Sequence, residues 1–236
     1  MKYWKFVWAF ILLINPKNVE ARDEHQKNNQ EQFDYRFTYN NGRKTLDTAM
    51  LAPAHIAIQH YPELKDTRIE FKYKKIPTLM AARPKLFSLF GKKENRKYVL
   101  IISTNLNNHS KKIFQNMSLT SKIGILGHEY AHILDYEQKT KFGLLKYGIN
   151  YLFNKKEIER KTDNIAITRG LGNEMLEYNM YLKSCNLTSK KYMAKKKKYY
   201  LSVAEIREIL SSHRDKSQVI PALIQPTQQF VVGQSM

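Results

Sequence analysis

Two hydrophobic periods divide the chain. Before about residue 103, apolar side chains mostly recur at every second position, and beyond it they recur at helical spacing. Phe33, Tyr35, Phe37 and Tyr39 alternate with polar residues ahead of the turn signal Asn41-Gly42. Ile69, Phe71 and Tyr73 alternate with charges over residues 68–74, which predicts a half-exposed strand. Residues 78–83, stopped by Pro84, predict a second strand, and residues 97–103 a third, more apolar and more buried. One helical pattern interrupts this region, from Thr45 to His60 through Ala49, Ile56 and Ala57, with Pro53 as a kink. His55 and His60 read as structural residues within it.

The second half is helical in period. A capping region at Ser118–Ser121 opens a helix whose Ile123, Leu126, Tyr130, Ile133 and Leu134 form one apolar stripe. Residues 139–153 predict a short helix interrupted by Gly143 and Gly148. Residues 155–169 predict a better one, with Ile158 and Ile165 on one face and Gly170 as its stop. Residues 171–184 predict another, and Ser202-Val203-Ala204-Glu205 is a capping box opening a helix to about Ser212. Strands first and helices later give an α+β fold class: a small N-terminal sheet, then the striped helix, then a mainly helical C-terminal part.

The striped helix also carries chemistry. Gly127-His128-Glu129-Tyr130-Ala131-His132 contains His-Glu-x-x-His. A four-residue step turns about 400°, so both imidazoles lie on one face, nearly opposite the apolar stripe. Two neutral imidazole nitrogens at that spacing can share one tetrahedral Zn²⁺. Glu129 lies about 100° further round, in reach of a water on the metal. Gly124 and Gly127 each disfavour a helix by about 1 kcal/mol relative to Ala, which implies a closely packed neighbour.

Catalytic zinc sites take three protein ligands and leave a position open. The candidate third ligand lies on the helix opening near Lys155, where Glu159 and Asp163 stand four residues apart on one face. Glu157 is a neighbouring alternative, and Asp135 is awkwardly placed on the motif helix itself. HEYAH followed by this E-x-x-x-D helix resembles the gluzincin group of zinc metallopeptidases over roughly residues 68–185. The resemblance implies a zincin-like fold with one Zn²⁺ per chain, held by His128, His132 and Glu159. It also implies Glu129 as water-activating base and Asp163 as support for a ligand histidine. The metzincin extension would need a glycine and a third histidine where Asp135 and Gln138 stand. A donor for the oxyanion stays unassigned among Tyr178, Tyr181 and His213.

Composition sets the setting. Lys2 and Lys5, the apolar run Phe6–Ile14 and Val19-Glu20-Ala21 predict a signal peptide over residues 1–21, with an uncleaved membrane tether as the alternative. A flexible leader (22–32), a zincin-like domain (33–213) and an irregular tail (214–236) complete the expected organisation. The protein reads as exported, secreted or periplasmic, and no later stretch is apolar and long enough to span a bilayer. Cys185 is the single cysteine, which excludes an intrachain disulfide. The formal charge is +19, of which Lys2, Lys5, Lys17 and Glu20 account for +2. The basic, aromatic run Lys190–Tyr200 suits an anionic surface or a solvated helix face. Three functions follow: an exported zinc endopeptidase acting on a peptide or protein substrate, a zincin-fold protein with structural zinc or lost catalysis, and a basic binding module.

Overall fold

Alternation along three central segments builds a sheet around Tyr98, Leu100 and Ile102, which point to the interior from the most buried strand. The computed structural model describes residues 37–39, 48–104 and 109–222. The expected signal peptide, the leader and the end of the tail lie outside the described residues.

Four strands pair in the order β1-β2-β4-β3: β1 (Phe37–Tyr39), β2 (Arg68–Lys74), β3 (Met80–Pro84) and β4 (Lys97–Ser103). β1, β2 and β4 run parallel, with Ile69 opposite Tyr98 and Phe71 opposite Leu100. β3 is antiparallel to β4, with Ala82 opposite Leu100, and forms one edge of the sheet. An edge position explains why the strand can run on through Pro84, where a missing N–H costs no ladder bond. Glu70 is the buried polar residue of β2, ion-paired to Lys72 (3.0 Å) and Lys85.

The helices are α1 (Thr48–Gln59), α2 (Ser110–Asn116), α3 (Leu119–Glu137), α4 (Lys141–Phe153), α5 (Lys155–Ala166), α6 (Gly172–Ser184), α7 (Lys190–Tyr199) and α8 (Val203–Ala222). α3 is the axis of the molecule. Its N-terminus is capped by Ser118, whose side chain accepts from the Ser121 amide at 3.0 Å. Leu126, Tyr130 and Ile133 are fully buried on the stripe side. There α1 and the turn that follows it lean against α3: Tyr61 Oη donates to the Gly127 carbonyl at 2.7 Å and Tyr130 Oη to the Ala54 carbonyl at 3.3 Å. α6 and the turn that leads into it cross close at the two glycines. A Cβ on Gly124 would sit 2.2 Å from the Glu174 carbonyl oxygen, and one on Gly127 would sit 2.4 Å from Leu171 Cδ1. The helix-propensity penalty at these positions is the condition for that approach.

Several boundaries differ from the sequence reading. α4 is uninterrupted by its glycines, because Thr140 caps it by accepting from Gly143 N and its inner residues hold it to the core. α5 ends at Ala166, and a π-turn over Ile167–Leu171 follows, with Gly170 at φ 86° turning the chain into α6. α8 continues past Ser212 to Ala222. No helix among the described residues is long and apolar enough to cross a membrane.

Candidate metal centre

α3 and α5 bring three buried side chains together. His128 and His132 lie one turn apart on α3, with ring centroids 4.8 Å apart and planes at 89°. Glu159 comes from α5, its Oε2 3.2 Å from His128 Nε2 and 3.4 Å from His132 Nε2. One ligand atom from each of the three lies within 4.8 Å of the other two, so the group could hold a metal ion.

Two features test the fit. In a tetrahedral site with bonds of about 2.1 Å, ligand atoms stand roughly 3.4 Å apart, which matches the two nitrogen–oxygen separations. Glu159 Oε2 is buried, and the polar groups closest to it are the two imidazole nitrogens, neither at good hydrogen-bond geometry. A buried carboxylate oxygen left so is costly unless a cation completes it. The donor set of two imidazoles and a carboxylate therefore fits a first-row metal.

Each of the three side chains is also held from behind. Asp163 Oδ1 lies 2.8 Å from His128 Nδ1, and its Oδ2 accepts from the Leu201 amide at 2.8 Å. Thr162 Oγ1 donates to the Ile158 carbonyl at 2.9 Å and stands 3.3 Å from His132 Nδ1. With protons on both Nδ1 atoms, the Nε2 lone pairs face the shared centre. Tyr151 of α4 donates its hydroxyl to Glu159 Oε1, with Lys155 Nζ at 3.7 Å from the same oxygen. Burial works against the His128 imidazolium, yet Asp163, Glu159 and Glu129 lift its pKa to about 10. Burial likewise opposes ionisation of Glu159, but the two histidines hold its carboxyl far below the carboxylate range.

Glu129 points to the sheet. Its Oε2 accepts from the Ala82 amide at 2.6 Å, and Tyr136 of α3 donates to the Ala82 carbonyl at 3.3 Å. Both backbone groups of this edge residue are thus engaged by α3. Burial pushes the Glu129 carboxyl above its usual range, against the pull of His128 and His132.

The alternative ligands are elsewhere. Asp135 Oδ1 is taken by Lys161 (2.7 Å) and Lys139 (2.8 Å), and Glu157 and Gln138 are exposed. His60 is tied by Nδ1 to the Arg169 carbonyl at 2.8 Å, away from the site. Tyr181 donates to the Ile113 carbonyl, and His213 lines a separate groove with Gly170 and Leu210. Of the three oxyanion candidates, Tyr178 alone borders the centre.

A residue of the basic run also borders it. Lys196 is 9% exposed, its Nζ 3.9 Å from the centroid of the Tyr200 ring and 4.9 Å from that of Tyr178. The Tyr200 ring in turn lies 5.5 Å from the ring of His128. Among the described residues no carboxylate is within ion-pair distance of Lys196, and burial lowers its pKa against the attraction of Asp163, Glu159 and Glu129. Lys196, Tyr178, Tyr192 and Tyr200 enclose, with His128, Glu129, Thr78 and Met80, a cavity of about 20 Å³, room for one water-sized molecule. The run Lys190–Tyr200 is therefore two-sided: Lys190 and Lys191 are exposed, while Tyr192 and Lys196 close over the centre. In the sequence, the four-residue step between Tyr192 and Lys196 was the available sign of a buried face.

Compared with models of known protein families, with curated proteins and with solved structures, the chain matches none.

Proposed function

We propose that this chain is an exported zinc metallopeptidase of the gluzincin kind, cleaving peptide bonds with Glu129 as general base. The observation that carries the reading is the convergence of His128 Nε2, His132 Nε2 and Glu159 Oε2 beside a glutamate that ligates nothing. These three residues would hold the ion. When bound, zinc supplies Lewis acidity, which lowers the pKa of water at the site and polarises a scissile carbonyl.

The rest is the work of this chain's own side chains. Glu129 takes the proton from the attacking water and passes it to the leaving amine. Its raised pKa suits a group that must both accept and return that proton. To reach the water it gives up the Ala82 amide, which then offers β3 to the backbone of an extended peptide. Lys196, itself buried, faces the negative charge that develops on the carbonyl oxygen. Asp163 and Thr162 keep both imidazoles turned inward.

Glu129→Gln is the direct test: it retains zinc and abolishes hydrolysis of an unfolded protein such as casein. Normal turnover by this variant would end the mechanism. The cavity of about 20 Å³ favours a second reading, a closed structural metal centre. That reading expects stoichiometric zinc with no turnover by the wild type. A basic binding module expects no metal at all. N-terminal sequencing of the mature protein tests export, with cleavage after Ala21 as the expected result.

A further inference from the structure

α4 has two apolar faces. The inner one carries Leu144, which is buried, together with Tyr147 against Tyr136 (5.4 Å between centroids) and Tyr151 on Glu159. The outer one carries Phe142, Leu145, Ile149, Leu152 and Phe153, all exposed, with the two phenylalanines at 83% and 77%. At about 100° per residue these five fall in a stripe roughly 100° wide, opposite the inner face. Lys141 and Lys146, both exposed, fall at its two borders, and exposed Lys156 follows shortly after the helix. Lys141 Nζ also donates to the Phe90 carbonyl at 3.0 Å, setting a 3₁₀ turn with exposed Phe87 and Phe90 beside the start of the helix.

Single exposed apolar residues are ordinary on a protein surface, but a row of five on one helix face is not. From this geometry we infer that α4 docks the protein on an anionic lipid bilayer, its outer face lying in the headgroup region. The occupant follows from charge and length. Lysines at both borders of an apolar stripe can snorkel to phosphates, on a chain of net charge +19, or +17 without residues 1–21. Thirteen residues make a helix of about 20 Å, too short to span a bilayer and suited to lying in its surface. Because the inner face of the same helix holds Glu159, docking sets the metal centre at the membrane boundary. The inference stands on exposure and charge and does not depend on a metal being bound.

The test uses the full chain with Cys185→Ser and an environment-sensitive fluorophore at Ile149→Cys. Gln59→Cys serves as control, exposed on α1, which packs on the stripe side of α3. With phosphatidylglycerol-containing vesicles the Ile149 probe shifts to the blue and is quenched by brominated acyl chains, while the Gln59 probe does neither. Raising salt weakens the effect. Phe142→Ser combined with Phe153→Ser leaves the fold intact and lowers partitioning about tenfold or more. No binding to anionic vesicles overturns the inference. So does vesicle binding with the Ile149 probe still in water, since another segment is then responsible. A blue shift that rises with protein concentration, without lipid, assigns the face to a second copy and overturns it too.

Discussion

Under the proposed mechanism, Lys196→Met separates catalysis from stability. Methionine keeps most of the stem that packs between Tyr178 and Tyr200 and removes the charge. At about 4 Å and an effective dielectric near 20, a unit charge stabilises a developing oxyanion by about 4 kcal/mol. Lys196 is 9% exposed and has no carboxylate partner among the described residues, so solvent-like screening does not apply. Removal of a single oxyanion donor costs about 2.7–4 kcal/mol, so kcat should fall about 10²- to 10³-fold with zinc retained. Stability moves the other way. Folding lowers the pKa of this ammonium, so the unfolded chain holds the proton more tightly than the native state does. The cost is complete below the folded pKa and fades as pH rises through the ordinary lysine range. Lys196→Met is therefore at least as stable as wild type at pH 7, and its advantage shrinks in alkali. Steady-state hydrolysis of labelled casein and thermal melts at pH 7 and above 10 read both effects. An unchanged kcat, or a variant that loses stability, would refute the assignment.

Three other perturbations have definite outcomes. Asp163→Asn weakens zinc affinity about 10- to 100-fold in a chelator competition, because it loosens His128 while leaving the three ligands in place. Gly124→Ala gains about 1 kcal/mol in helix propensity but drives a methyl to 2.2 Å from the Glu174 carbonyl, so the urea midpoint falls by an amount equivalent to about 2 kcal/mol or more. Glu205, pulled down to about 2 by Arg160 and by the Ser202 hydrogen bonds, caps α8. Its contribution is present above the ordinary carboxylate pKa and lost as pH falls toward 2, so wild type and Glu205→Gln differ in melting at pH 7 and converge near pH 2. Both side chains are about a third exposed, so solvent screens the pair and the difference is correspondingly small.

What the sequence disclosed was local. The His128–His132 step, the opposed apolar stripe and the capping box at Ser202 each depend on neighbours within a turn or two. The placement of Glu159 needed only that one helix return to another. Spacing alone also put Glu159 and Asp163 on one face, and the structure sets them on either side of the His128 ring. Lys196 was hidden because its role depends on α7 folding over α3, and a lysine in a basic run reads as solvated until that contact is known. The same applies to Glu129 and Ala82, which are joined by an edge strand 47 positions away in sequence. The outer face of α4 was masked by its inner one: two apolar faces, parted only by narrow polar borders, leave no broad polar side to reveal which is exposed.

Elemental analysis of purified, untagged protein after metal-replete expression tests the central claim most directly. The account predicts one zinc per chain in the wild type and in Glu129→Gln, with loss of most of it in Glu159→Gln. Wild-type protein that folds without stoichiometric metal, or that keeps its zinc when Glu159 is replaced, would contradict it.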